Sequence, residues 1–377
     1  MANLGFNSNL QVEKKKLHIQ TGLSQEQRRI SVSVFEGGTL VDKREFPLDP
    51  LTPEDHLEQE VRQYHDFVLT DLEMLFFVAR QVRHSRSLPA IKKMGQLFLK
   101  KGFFDQAIEF FEIMHKGDPL GWDCQYEIGQ AFFQKGEYDE AVRFLLEALK
   151  AKPSYPDYHG YLAKIYWKLG QYGDAIKSFR KAVEFNPAYH QAYYQHALLL
   201  IESAIENPQY IDLPPPIERI RHAVQLLRKT ASLSDSYNER MLISGIEKLD
   251  DREDLPAALL DLEQAYQPPL HLEFAQMIDA EFYLKFMFAS MDKDNRELRH
   301  YIQILEKAVA LHGDFADLHQ SLSLAYLIRG WQYFSKAIEE LRAAVAINPS
   351  FEKAQKNLRL LENDGRGFLI LLRSILK

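Results

Sequence analysis

Three copies of one phrase stand 34 residues apart: Leu99-Lys-Lys-Gly102-Phe-Phe-Asp-Gln-Ala107, Phe133-Gln-Lys-Gly136-Glu-Tyr-Asp-Glu-Ala141 and Trp167-Lys-Leu-Gly170-Gln-Tyr-Gly-Asp-Ala175. Gly95, Gly129 and Ala163 keep step twelve residues before the alanines, Phe111, Leu145 and Phe179 four after them, and Pro119, Pro153 and Pro187 twelve after them. A repeat of this length limits the fold more than any other feature, because each unit buries its apolar face only by stacking on the next. The residue types say what the unit is. Small residues at 95, 129, 163 and the alanines let two antiparallel helices approach closely, where a larger side chain would overpack by about 1–3 kcal/mol. Gly102, Gly136 and Gly170 fall in the short turn between those helices, where glycine best tolerates a left-handed backbone. The prolines stop the second helix because they cannot donate its next hydrogen bond. Thirty-four residues read as helix, turn, helix, turn.

This pattern resembles the tetratricopeptide repeat family over Leu88 to Tyr189. The resemblance implies a mostly α chain, with helix pairs stacked into a right-handed α-solenoid. A further copy runs over Leu318 to Phe351, where Ala325, Ala337 and Pro349 keep the twelve-residue spacing. Between the two the order loosens. Ala197 finds its next alanine at Ala223, a gap of 26, and the insertion holds Asn207-Pro-Gln-Tyr-Ile-Asp-Leu-Pro-Pro-Pro216, which cannot be helical. Residues 237–269 and 270–314 read as two irregular helix pairs. The expected organisation is a unit over 1–86, an array of about seven helix pairs over 87–351 with an insertion at 203–217, and a capping helix and tail over 352–377.

Ahead of the array the period changes to two. Arg29-Ile-Ser-Val-Ser-Val34 alternates, Gly37-Gly38 marks a turn, Thr39 to Phe46 continues extended, and Leu17-His-Ile19 supplies a third run. Two or three strands are marginal alone. The helix they need follows, with Thr52 as N-cap, Pro53 at the first position, and Leu57, Val61, Tyr64, Val68, Leu72, Leu75, Phe76 and Ala79 at steps of three or four. At the far end, Phe368, Leu369, Ile370, Leu371, Leu372, Ile375 and Leu376 make an apolar tail too short to span a bilayer. It either packs on the last repeats or docks on a second subunit, a partner or a membrane surface.

Composition narrows the chemistry. Forty-six Lys and Arg against 53 Asp and Glu give a net charge of −7, which disfavours a nucleic-acid partner. Residues 190–269 hold most of that charge, with seven basic against thirteen acidic side chains. Cys124 is the only cysteine, so neither an internal disulfide nor a thiolate metal site is expected. No secretory leader and no 18-residue apolar run is seen, and the expected location is cytoplasmic. No phosphate-cradling glycine motif or His-Glu-x-x-His is present; His190 and His196 fall on different faces of a helix, and Asp292-Lys-Asp-Asn-Arg-Glu297 lacks the glycine and distal glutamate of a calcium loop. No catalytic residue, cofactor or metal is expected.

The family resemblance places one face of each repeat's first helix in a concave groove. Here that lining reads Lys92, Gln96 and Leu99, then Tyr126, Gln130 and Phe133, then Lys164, Trp167 and Lys168, then Tyr194. Aromatics give contact area at low entropic cost, and amides can bond an extended backbone. The best-known subfamily clamps a C-terminal carboxylate with Lys, Asn and Arg. The matching sites here are Lys92, Gln96, Glu127, Asp157 and Tyr161, whose two acids would repel that ligand. The expected function is a non-enzymatic scaffold or adaptor for a peptide or protein partner. The alternatives are an assembly or regulatory factor of a bacterial surface machine (pilus, motility or secretion), docking through the sheet or tail, and an enzyme or ligand-gated accessory. A homo-oligomer is compatible with each.

Overall fold

The computed structural model describes residues 4–13, 15–24, 28–48, 53–85, 87–117, 123–209, 213–251 and 254–266, and beyond them the helix Ala316–Ile347 with short flanking pieces. Contacts divide the chain into two units. One comprises Met1–Val32, Phe46–His84 and His271–Lys377, and the other Ser33–Glu45 and Ser85–Leu270.

Four antiparallel strands, rather than two or three, open the chain: β1 (Gly5–Val12), β2 (Lys15–Ser24), β3 (Arg29–Glu36) and β4 (Thr39–Pro47), in the order β1-β2-β3-β4. β1 is the strand that periodicity did not reveal. Only its Leu10 and Val12 are buried, so its Asn- and Ser-rich start shows little alternation. Its register is firm, from Gly5 opposite Gly22 to Val12 opposite Lys15.

Helix α1 (Leu57–His84) follows a 3-10 turn over Glu54–His56, so Pro53 precedes that turn instead of starting α1, and Thr52 lies outside the described residues. Val61, Val68, Leu72, Leu75, Phe76 and Ala79 are buried, as their spacing requires. His65 is buried among them. Its two ring nitrogens hydrogen-bond the hydroxyls of Ser8 and Thr21 at 2.7 Å each, one donating and one accepting, which ties α1 to β1 and β2.

The second unit carries the helix pairs: α2 (Leu88–Lys100) with α3 (Phe104–Gly117), α4 (Asp123–Lys135) with α5 (Tyr138–Ala151), and α6 (Pro156–Lys168) with α7 (Tyr172–Phe185). The small residues sit where the helices touch. A Cβ on Gly95 would come within 2.6 Å of the Phe111 ring, and one on Gly129 would overlap the Leu145 side chain. Gly102, Gly136 and Gly170 have φ of 77°, 89° and 72°, the left-handed turn the repeat predicts. Phe111, Leu145 and Phe179 are fully buried.

Past the regular repeats, α8 (His190–Glu206) and α9 (Pro216–Leu233) flank the proline-rich insertion, and α10 (Glu239–Asp251) and α11 (Leu255–Ala265) form the next pair. There Gly245 abuts Leu262 at a virtual Cβ distance of 2.5 Å. That close approach is the one seen at Gly95 and Gly129, with the partner 17 rather than 16 residues on.

The sequence copy at 318–351 departs from the expected helix pair: α12 (Ala316–Ile347) is one continuous helix of 32 residues. Five residues before Ala337, where the regular repeats carry a left-handed glycine, stands Gln332. Without that glycine the helix has no low-cost turn, and it continues. Most of 267–315 and the tail Phe368–Lys377 lie outside the described residues. No described helix is long and apolar enough to cross a membrane.

Candidate partner-binding face

The first helices of successive pairs are joined side chain to side chain. Gln96 Nε2 on α2 donates to Glu127 Oε1 on α4 at 2.8 Å, and Lys92 Nζ stands 3.8 Å from the same oxygen. Burial pushes the Glu127 carboxyl above its ordinary pKa, while the Gln96 hydrogen bond and the Lys92 charge act the other way. Two clamp-position residues are thereby committed to an acid of their own chain. Asp123, one turn earlier on α4, accepts from Lys152 Nζ at 2.9 Å and from Tyr158 OH at 2.7 Å. Those bonds hold its carboxyl below the usual carboxylate range.

Rings fill the space between α4 and α6. Tyr126 stacks on Tyr158 with centroids 4.5 Å apart, and both Tyr126 and Phe133 meet Tyr161 edge-on at 5.7 and 5.4 Å. Burial raises the Tyr161 phenol to about 12 and the Tyr126 phenol further. Lys164 lies over the Tyr161 ring at 5.4 Å. Burial lowers its ammonium pKa, with Asp157 opposing, and it forms no ion pair among the described residues. Gln130, half-buried beside these rings, makes no hydrogen bond among the described residues.

Trp167 connects α6 to α8 through its indole N–H, which donates to Glu202 Oε1 at 2.8 Å. Lys168 is exposed. Two expected lining residues belong elsewhere. Leu99 is only 8% exposed and lies in the core of the first pair, while Tyr194 is 4% exposed, its hydroxyl donating to the Leu262 carbonyl and its ring against Tyr237. Both sit on the side of their helices that packs inward, so neither offers a surface. Of the face read from sequence, Lys92, Gln96, Tyr126, Gln130, Phe133, Lys164, Trp167 and Lys168 retain access to solvent.

The acids that anchor this face were not singled out as such in the sequence, though a signal exists. Asp123–Tyr158 and Trp167–Glu202 pair across 35 residues and Tyr172–Glu206 across 34, close to one repeat. Polar partners in a stacked array stand about one period apart because neighbouring units are neighbours in space.

Two family profiles match inside these helices, one described as TPR repeat over residues 129–170 and one as tetratricopeptide repeat over 156–189. The chain carries tetratricopeptide repeats. Among solved structures it is similar to MamA (19% identity over 45% of this chain and 91% of that one, TM-score 0.35). It is also similar to YrrB, described as a TPR protein with an unusual peptide-binding site (18%, 52% and 94%, TM-score 0.35). A third is a tetratricopeptide repeat protein from Parabacteroides merdae (16%, 74% and 100%, TM-score 0.37). No curated protein matches.

Proposed function

We propose that this tetratricopeptide repeat protein is a non-catalytic adaptor that holds an extended polypeptide segment along the face built by α2, α4 and α6. The observation that carries the reading is a pair of uncommitted polar groups set among half-buried rings. The Lys164 ammonium and the Gln130 amide have no ion-pair or hydrogen-bond partner among the described residues, beside Tyr126, Phe133 and Tyr161. An amide can donate to and accept from a peptide backbone, and a partly desolvated ammonium favours an acidic side chain. Lys168 adds positive charge at the same end. The preferred partner is therefore a segment with acidic and aromatic or aliphatic side chains, and Leu99 and Tyr194 play no part in its recognition.

A displayed random-peptide library selected on the full chain tests this. Enriched peptides should carry acidic residues and lose at least tenfold in affinity on the double change Gln130→Ala and Lys164→Gln, with circular dichroism unchanged. Lys181→Gln, an exposed change on α7, should leave affinity unaltered. No enrichment, or equal binding to the double variant, would dismiss the reading.

A further inference from the structure

The N-terminal sheet is finished differently at its two ends. β4 lies at one end and spells Asp42-Lys-Arg-Glu45 ahead of Pro47. The turn of the first repeat lies against it, since a Cβ on Gly102 would overlap the Val41 carbonyl oxygen. Charges, proline and a covering segment are the usual means of keeping an edge strand from pairing further. β1 lies at the other end and, among the described residues, has none of these: Gly5-Phe-Asn-Ser-Asn-Leu-Gln-Val12 carries no charge and no proline.

Pairing with β2 fixes which backbone groups of β1 face outward. The register runs from Gly5 opposite Gly22 to Val12 opposite Lys15, so Leu4 stands opposite Leu23, and the Leu23 N–H donates to the Leu4 carbonyl at 3.2 Å. Bonded pairs alternate along an antiparallel ladder, so the even-numbered residues of β1 turn their N–H and C=O toward β2. Gly5, Asn7, Asn9 and Gln11 turn theirs away from it, and all four residues are exposed. The side chains of the even-numbered residues lie on the α1 side, where Ser8 bonds His65 and the Arg62 guanidinium covers the half-buried Phe6 ring at 4.6 Å.

An outward row of this kind accepts one more extended strand, and the strand it fits is another β1. In an antiparallel pair side chains keep to their own face only when the two-fold axis passes through a residue. With the axis at Ser8, Gly5 meets the partner's Gln11 and Asn7 the partner's Asn9, so the outward N–H and C=O of all four residues are paired. On the α1 side Phe6 meets the partner's Leu10, an apolar cross-strand pair, and Ser8 meets its own copy. The same operation applied to Asp42–Glu45 of β4 sets a charged residue against itself wherever the axis falls, and like charges directly opposite are destabilising. One edge of the sheet is thus closed to a second copy and the other is complementary to it. Two-fold pairs are the commonest closed assemblies, and they demand this kind of self-complementary patch. We propose that β1 is a dimerisation strand, which pairs antiparallel with β1 of a second copy and continues the sheet across the two-fold axis.

Sedimentation velocity of the full chain over a concentration series, with hydrogen exchange read over residues 5–12, tests the proposal. A monomer–dimer equilibrium is expected, with exchange at 5–12 slowing as the dimer forms. The double change Asn7→Lys and Asn9→Lys puts positive charges opposite each other across the axis, and should weaken dimerisation at least tenfold with circular dichroism unchanged. Gln20→Lys, on the same exposed face but on β2 and away from the edge, should leave it unaltered. A chain that stays monomeric at every concentration would overturn the proposal. So would a dimer that the double change leaves intact, an equal loss in the Gln20→Lys chain, or a dimer whose formation does not slow exchange at 5–12.

Discussion

Replacing Gly129 by alanine should destabilise the repeat unit, although alanine is the better helix former. Gly129 lies inside α4, and its absent Cβ would overlap Leu145 while standing 3.4 Å from the Ala141 carbonyl. Leu145, Ala141 and Ala148 are all 0% exposed, so the leucine has no free volume to turn into. Overpacking of this kind costs about 1–3 kcal/mol. Helix propensity returns about 1 kcal/mol of that, leaving a net loss on the order of 1 kcal/mol. Gly330, inside α12, is the matched control. It is exposed, has nothing within 4 Å of a virtual Cβ, and should gain about 1 kcal/mol from the same substitution. Native-state hydrogen exchange read by mass spectrometry over α4–α5 and over α12 separates the local free energies. Opposite signs are expected. If Gly129→Ala protects α4–α5 as much as Gly330→Ala protects α12, close helix approach is not what selects glycine at this position.

Three further outcomes follow from buried polar groups. Burial holds the His196 imidazole down to about 3 from an ordinary 6.5, so the folded state prefers it neutral and its contribution is complete above pH 6.5. From this group alone the urea stability of the repeat unit should drop by about 2 kcal/mol between pH 7 and pH 5; His159, His190 and His222, also lowered by burial, add to the slope, and His196→Phe should remove only its own share. Arg219→Met strands the carbonyls of Ser203, Asn207 and Pro208 and should cost about 2–4 kcal/mol, seen as faster exchange at the end of α8. Trp167→Phe leaves Glu202 without its indole donor and should cost about 1–2 kcal/mol in denaturant unfolding.

The helix pairs were readable because every position in the 34-residue phrase answers to one local demand, a close approach, a left-handed turn or a helix stop, and Gly95, Gly129 and Gly102 meet those demands where the spacing puts them. Where one demand fails, the phrase misleads. At 318–351 the alanines persist but the turn glycine does not, and α12 runs straight through. β1 was hidden because a strand with two buried side chains has almost no alternation to detect. Leu99 and Tyr194 show a limit of a different kind. Counting along a helix finds a face to within about one residue step of 100°, and at the edge of a face that step separates core from surface. Arg219 on α9 caps the carbonyls of Ser203, Asn207 and Pro208 at the end of α8, a pairing across the insertion that follows no repeat spacing and that only the folded chain brings together.

Site-specific photo-crosslinking in the native cell tests the central claim most directly. A benzophenone side chain at Gln130, on the face of α4, is compared with one at Lys181, on the exposed side of α7. The account predicts a covalent adduct with a polypeptide partner from position 130 and none from position 181. An adduct from position 181 alone, or from neither position, would contradict it.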